Sequence, residues 1–171
     1  MSIGKRLIGA TIAVVAAVVL SGCSNLMFDP SNSTSAVAPT PSAASTGIGS
    51  DAAVVLLNAV TGLSDATVRS SISGLSTSAI IEVYVDDETA ITVPGILDYV
   101  LRVGWATSFD RQPASVKLIV RNNGRTLDLQ AQANLLAGVE YPAFPELYSV
   151  YLDGPEYLGA WPGVVPTLSV G

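Results

Sequence analysis

Carboxylates are the abundant reactive side chains of this chain. Its 171 residues hold 14 Asp and Glu, no histidine, and a single cysteine, Cys23. Lack of histidine removes both the commonest general base and the commonest metal ligand. The densest acidic cluster is Asp86-Asp87-Glu88. Calcium loops spread their oxygen ligands through a turn that contains a glycine. This run does neither, so it reads as a solvated loop after a strand, with no metal site implied. Two carboxylates about 5 or 8 Å apart can cleave a glycosidic bond, but among 14 acids no such pair is legible from spacing. There is no GxSxG, no P-loop and no dinucleotide fingerprint, and Gly47-Ile48-Gly49 is too short to be one. No cofactor is implied. The remaining chemistry is that of rings. Between Val139 and Gly171 lie Tyr141, Phe144, Tyr148, Tyr151, Tyr157 and Trp161, interrupted by prolines and accompanied only by acids. Rings beside carboxylates suit sugar stacking or a protein interface, although packing on the fold is their commoner use. Tyr141, Phe144 and Tyr148 are expected inside, with Tyr157 and Trp161 as an exposed contact surface.

Cys23 has a different chemistry. Lys5 and Arg6 precede an uncharged apolar run from Leu7 to Leu20, too short for the roughly 20 residues of a spanning helix. The run closes on Leu20-Ser21-Gly22-Cys23. This pattern resembles a bacterial lipoprotein signal peptide with its lipobox, and the whole resembles uncharacterised actinobacterial lipoproteins. The resemblance implies cleavage between Gly22 and Cys23, acyl chains on Cys23, and residence on the outer face of the bacterial cytoplasmic membrane, held by lipid. An uncleaved short anchor and an ordinary secretory signal are the competing readings.

The chain is acidic, with a net charge of −6. Without Lys5 and Arg6, six basic side chains face 14 acidic ones, which leaves −8. That balance argues against nucleic acid and against electrostatic docking on anionic headgroups. Each acyl methylene buried in a bilayer contributes about 0.8 kcal/mol, so two or three chains hold the protein without help from charge. With Cys23 acylated no disulfide is available, and the fold depends on its core.

Four segments follow from composition. Residues 1–22 form the signal peptide. Residues 23–50 form the lipidated N-terminus and a Ser/Thr/Pro/Ala tether, too poor in apolar surface to fold. Residues 51–138 form an α+β domain, and 139–171 an aromatic, proline-rich tail packed on it.

Within the domain, a helix is expected over Asp51–Val60, capped by Ser50 and followed by Gly62. A weak strand, Thr67–Ser73, turns at Gly74-Leu75-Ser76 into the clearest one, Ser78–Val85. There Ala79, Ile81, Val83 and Val85 share a face, with Glu82 and Tyr84 opposite. A second helix spans Thr92–Ala106 with Pro94 in its first turn. Ser115–Arg121 is a strand with Val116, Leu118 and Val120 inward. Asn122-Asn123-Gly124 makes a tight turn. A third helix, Leu129–Ala137, starts at Asp128 and stops at Gly138, unless Arg125–Leu129 first returns as a hairpin strand. Ser149–Leu152 is a short strand or helical turn in an otherwise irregular tail.

The order helix–strand–strand–helix–strand–helix predicts a small two-layer α+β sandwich, an antiparallel sheet with helices on one face. It is similar in outline to ferredoxin-like domains, whose usual first strand is not evident. Function is expected to be non-enzymatic: binding or support of an envelope protein or glycan. A carboxylate-based enzyme on envelope glycan and a purely structural lipoprotein are the alternatives.

Overall fold

A central pair of strands, each apolar at alternate positions, sets the frame. The computed structural model describes residues 47–168. The signal segment, the lipobox with Cys23 and most of the expected tether lie outside the described residues. β2 (Ser76–Val85) and β3 (Ser115–Asn122) lie side by side. Ala79, Ile81 and Val83 stand opposite Val116, Leu118 and Val120, and all six are fully buried. The fold is α+β in two layers, with five strands among the described residues. β1 (Leu63–Ser73) pairs antiparallel with β2. The outer edge of β3 is shared by β4 (Arg125–Thr126) and β5 (Val150–Asp153), both antiparallel to it.

One pair departs from expectation. β2 and β3 run parallel, so the sheet is mixed rather than antiparallel. The connection between them is helical, and a helical crossover carries the chain back to the end of the sheet where β2 began.

That crossover is two helices, not one. α2 (Glu88–Thr92) begins at Asp87, whose carboxylate accepts the Thr89 N–H at 2.8 Å. α3 (Ile96–Trp105) begins at Gly95, which has a φ of +88°. Pro94 forces Val93 into extended backbone, and Gly95 then takes the left-handed geometry that re-aims the chain. The single helix expected over Thr92–Ala106, with Pro94 in its first turn, is therefore replaced by two helices with a break at Pro94-Gly95.

α1 (Ser50–Asn58) packs Ala53 and Leu57 inward, with Gly49 at the cap position expected for Ser50. α4 (Gln130–Ala137) ends at left-handed Gly138, and the Asp128 carboxylate accepts the Gln130 N–H at 3.2 Å. α5 (Gly154–Leu158) starts at Asp153. Residues of all five helices join the inward rows of the sheet in one apolar cluster. Ile80 and Ile119 are buried on the opposite face, outside that cluster.

α3 is buried on nearly every side because the C-terminal chain covers it away from the sheet. Trp105 Nε1 donates to Gly159 O at 3.1 Å, and Gly163 N donates to Trp105 O at 3.2 Å. Gly154 sits so close to the Trp105 ring that a Cβ there would overlap it.

The chain enters this frame at one end. Ile48 N donates to Ala106 O at 2.9 Å and Ser108 N to Ile48 O at 2.8 Å. Gly47–Gly49, placed in the tether by composition, is thus paired with the loop after α3. Among the described residues no helix is long and apolar enough to cross a membrane.

Candidate binding surface

The sheet face away from the helices carries cations and rings in register. Arg69, Ile80, Lys117 and Tyr151 form one row across β1, β2, β3 and β5. Tyr84, Arg121 and Thr126 form another. Arg121 Nε pairs with Glu82 Oε1 at 2.6 Å, and that hydrogen bond pushes the guanidinium pKa up. Lys117 Nζ lies 4.9 Å from the centre of the Tyr148 ring, close enough for a cation–π contact.

The segment between α4 and β5 builds a ledge at the margin of this face. Phe144 O accepts from both Leu147 N and Tyr148 N at 2.8 Å, which closes one tight turn. The turn leaves Phe144 47% and Leu147 61% exposed. Between ledge and sheet is a cavity of about 180 Å³ lined by Lys117, Phe144, Leu147, Tyr148 and Tyr151.

Two amides on α4 hold both ends of the ledge. Gln130 accepts from Tyr151 N at 2.7 Å and donates to Tyr151 O at 3.0 Å, standing where a sixth strand would pair. Asn134 does the same for Tyr141, accepting at 3.3 Å and donating at 2.8 Å. Gln130 also donates to Asn134 at 2.9 Å, so the two act as one unit at i, i+4 spacing. On the far side, Ser149 N donates to Leu118 O and Ser149 Oγ accepts from Val120 N, each at 2.8 Å. The ring of Tyr141 meets that of Tyr151 edge-on at 5.6 Å. A small apolar contact is thereby fixed on a rigid frame, which lowers the entropy lost on binding.

The other rings differ from expectation. Tyr141 and Tyr148 are half-buried, and Phe144, expected inside, is exposed. Its turn is too tight and too near the sheet edge to swing the ring beneath it. Tyr157 and Trp161, expected exposed, are half-buried and engaged. Tyr157 donates its hydroxyl to Asp98, and the Arg102 guanidinium sits 5.5 Å from its ring centre. Arg102 is itself paired with Asp98 at 2.8 Å. Trp161 Nε1 donates to Thr107 O at 3.1 Å. Tyr157 pins the C-terminal chain to α3, and Trp161 pins it to the loop just after α3.

The acids are spent on structure where they are engaged. Asp87 caps α2, which holds its carboxyl below the usual range, while Asp86 and Glu88 are exposed. Glu82 and Asp98 pair with arginines, and Glu156 accepts from the Tyr141 hydroxyl at 3.0 Å. Among the described residues no group of three His, Cys, Asp or Glu could hold a metal ion.

Comparison with known proteins finds no matching family model, no matching curated protein and no matching solved structure.

The Tyr157 contact makes a pH-dependent prediction. Burial, then the bond to Asp98, pushes its pKa from 10.0 up to about 12. The folded chain therefore holds this proton more tightly than the unfolded one. The stabilisation is full below 10.0 and is lost as pH rises toward 12. Wild type should be more stable than Tyr157→Phe at neutral pH, with the gap closing across that alkaline window. Urea midpoints of both proteins over pH measure it; a gap that stays constant would show that folding does not raise the Tyr157 pKa, and no gap at neutral pH that the hydroxyl contributes nothing.

Proposed function

We propose that this chain is a lipid-anchored module on the outer face of the bacterial cytoplasmic membrane that binds another envelope component without chemistry of its own. The supporting observation is the ledge of Phe144 and Leu147, which stays exposed although Gln130, Asn134 and Ser149 hold its backbone rigidly. A ring and a leucine beside Lys117 offer an apolar anchor with a cation at its rim, the arrangement of an interface hot spot. The lipobox resemblance carries the anchoring part of the reading, through Cys23.

The test is capture of purified envelope glycan and of detergent-solubilised membrane proteins on immobilised protein. Phe144→Ser combined with Leu147→Ser should weaken capture by about 30-fold, the equivalent of roughly 2 kcal/mol. Its melting curve should stay close to wild type, because about half of each side chain is already in water and neither belongs to the apolar cluster. Equal capture by wild type and variant would remove the ledge from the function.

A further inference from the structure

We infer that the β1–β2 hairpin tip is a lipid-contacting foot that seats the domain on the bilayer. Ser73 pairs with Ser76 across a two-residue turn, Gly74-Leu75, with positive φ at Gly74 alone among the two. Such a turn requires glycine at its first position and nothing apolar at its second. Leu75 is nevertheless there, fully in solvent at 106% exposure. Ile72 continues the inward row of β1 past the packed core and is 57% exposed. No residue from Ser70 to Ile81 is charged. Ser71, Ile72 and Ser73 pair with Ser78, Thr77 and Ser76, so the ladder continues up to the turn.

The occupant follows from where the chain enters. Ile48 pairs with Thr107. The loop that follows leads to Ala114, whose N–H donates to Thr77 O at 2.8 Å. β2 and β3 both begin there, and α1 leads from there to the start of β1 at the opposite end. The hairpin tip and the entry of the chain are therefore at the same end of the sheet. Residues 24–46 join Cys23 to that end of the sheet. Acyl anchoring makes the second contact intramolecular, so a single leucine and isoleucine are enough to bias orientation. The side chains that make the contact, Ile72 and Leu75, are apolar and no residue from Ser70 to Ile81 is charged, so salt should leave it unchanged.

This inference rests on the lipid-anchor reading, and the experiment separates the two. The acylated chain that begins at Cys23 is reconstituted with phosphatidylcholine vesicles, and a chain beginning at Ser24 serves as the unanchored control. An acylated chain that fails to float with vesicles, or a chain beginning at Ser24 that floats equally, overturns the anchor reading and the foot with it. In the anchored protein, Leu75→Trp should show blue-shifted added emission and quenching by brominated phosphatidylcholine. Val93→Trp, at a half-exposed site lining the cavity with Gly62 and Ile96 at the other end, should show neither. Flotation without quenching at position 75, or equal quenching at both positions, overturns the foot while leaving the anchor intact. A blue shift at position 75 that appears without vesicles and grows with protein concentration assigns the tip to contact between copies and likewise overturns it.

Discussion

A chain ending at Gly138 should fail to fold cooperatively. The lost segment includes β5, whose Val150 and Leu152 are fully buried against Leu118 and Val116. It also includes Leu158, in the same apolar cluster. Burial of each such side chain contributes about 1.5–3 kcal/mol, so the three together account for about 5–9 kcal/mol. Domains of this size are stable by about 5–15 kcal/mol in total. The loss extends to groups left behind. The edge of β3 from Ser115 to Leu118 would lose its partner strand, Val120 N would lose Ser149 Oγ, and Trp105 Nε1 would lose Gly159 O. Gln130, nearly fully buried, would keep a polar amide with no Tyr151 backbone to answer it, and a buried amide without a partner is costly. A chain ending at Gly159 keeps β5 and α5 but loses the Trp161 bond to Thr107. It should still unfold cooperatively, at lower urea. Far-UV circular dichroism against urea separates the three chains. A Gly138 chain with a wild-type transition would mean that the C-terminal segment contributes nothing to the core.

The central strands are legible in the sequence because their apolar residues alternate without interruption and the inward rows match in register. β1 is legible only over its second half. Its inward residues Leu63, Ala66 and Val68 are spaced three and then two apart. A bulge between Ser64 and Thr67, with Asp65 at a φ of +48°, breaks the period. The parallel pairing of β2 with β3 is implied by the helix between them, a topological cue that alternation alone does not carry. The break in the crossover helix was signalled by Pro94-Gly95, since a proline followed by a residue needing positive φ more often ends a helix than opens one. The ledge is much less legible. A proline-interrupted stretch has no period, so nothing local distinguishes exposed Phe144 from half-buried Trp161. What decides between them is long-range: Trp161 finds Thr107 O, and Phe144 is held at the sheet margin by amides from α4. The usable signal was Gln130 and Asn134, two amides one turn apart on a short helix, which are placed to substitute for a missing strand.

Val83→Asp and Leu118→Asp should each abolish or nearly abolish folding at neutral pH. Both side chains are fully buried on the inward face, opposite Val120 and Ile81 respectively, in a cluster built only of apolar and aromatic residues. No arginine or lysine belongs to that cluster, so the new carboxylate finds no countercharge. A buried carboxylate without a partner raises its pKa and stays neutral rather than ionise. Its folded pKa then lies above the unfolded value of about 3.9, so the deficit is smallest in acid and grows as pH rises toward the folded pKa. Even protonated, the carboxyl replaces packed methyls with an unpaired polar group, a loss of several kcal/mol. Glu82→Ala and Lys117→Ala are one residue away on the opposite face. Glu82→Ala removes a partly exposed ion pair with Arg121, about 0–1 kcal/mol. Lys117→Ala removes a cation over the Tyr148 ring, a contact of similar size at a half-exposed site. Both should melt within a few degrees of wild type, while neither Asp variant gives a cooperative transition at neutral pH. Thermal unfolding of all four at acid and neutral pH is the measurement. If the two pairs behave alike, the strands present the wrong faces to the helices, and the row of Arg69, Lys117 and Tyr151 is not the open face of the sheet.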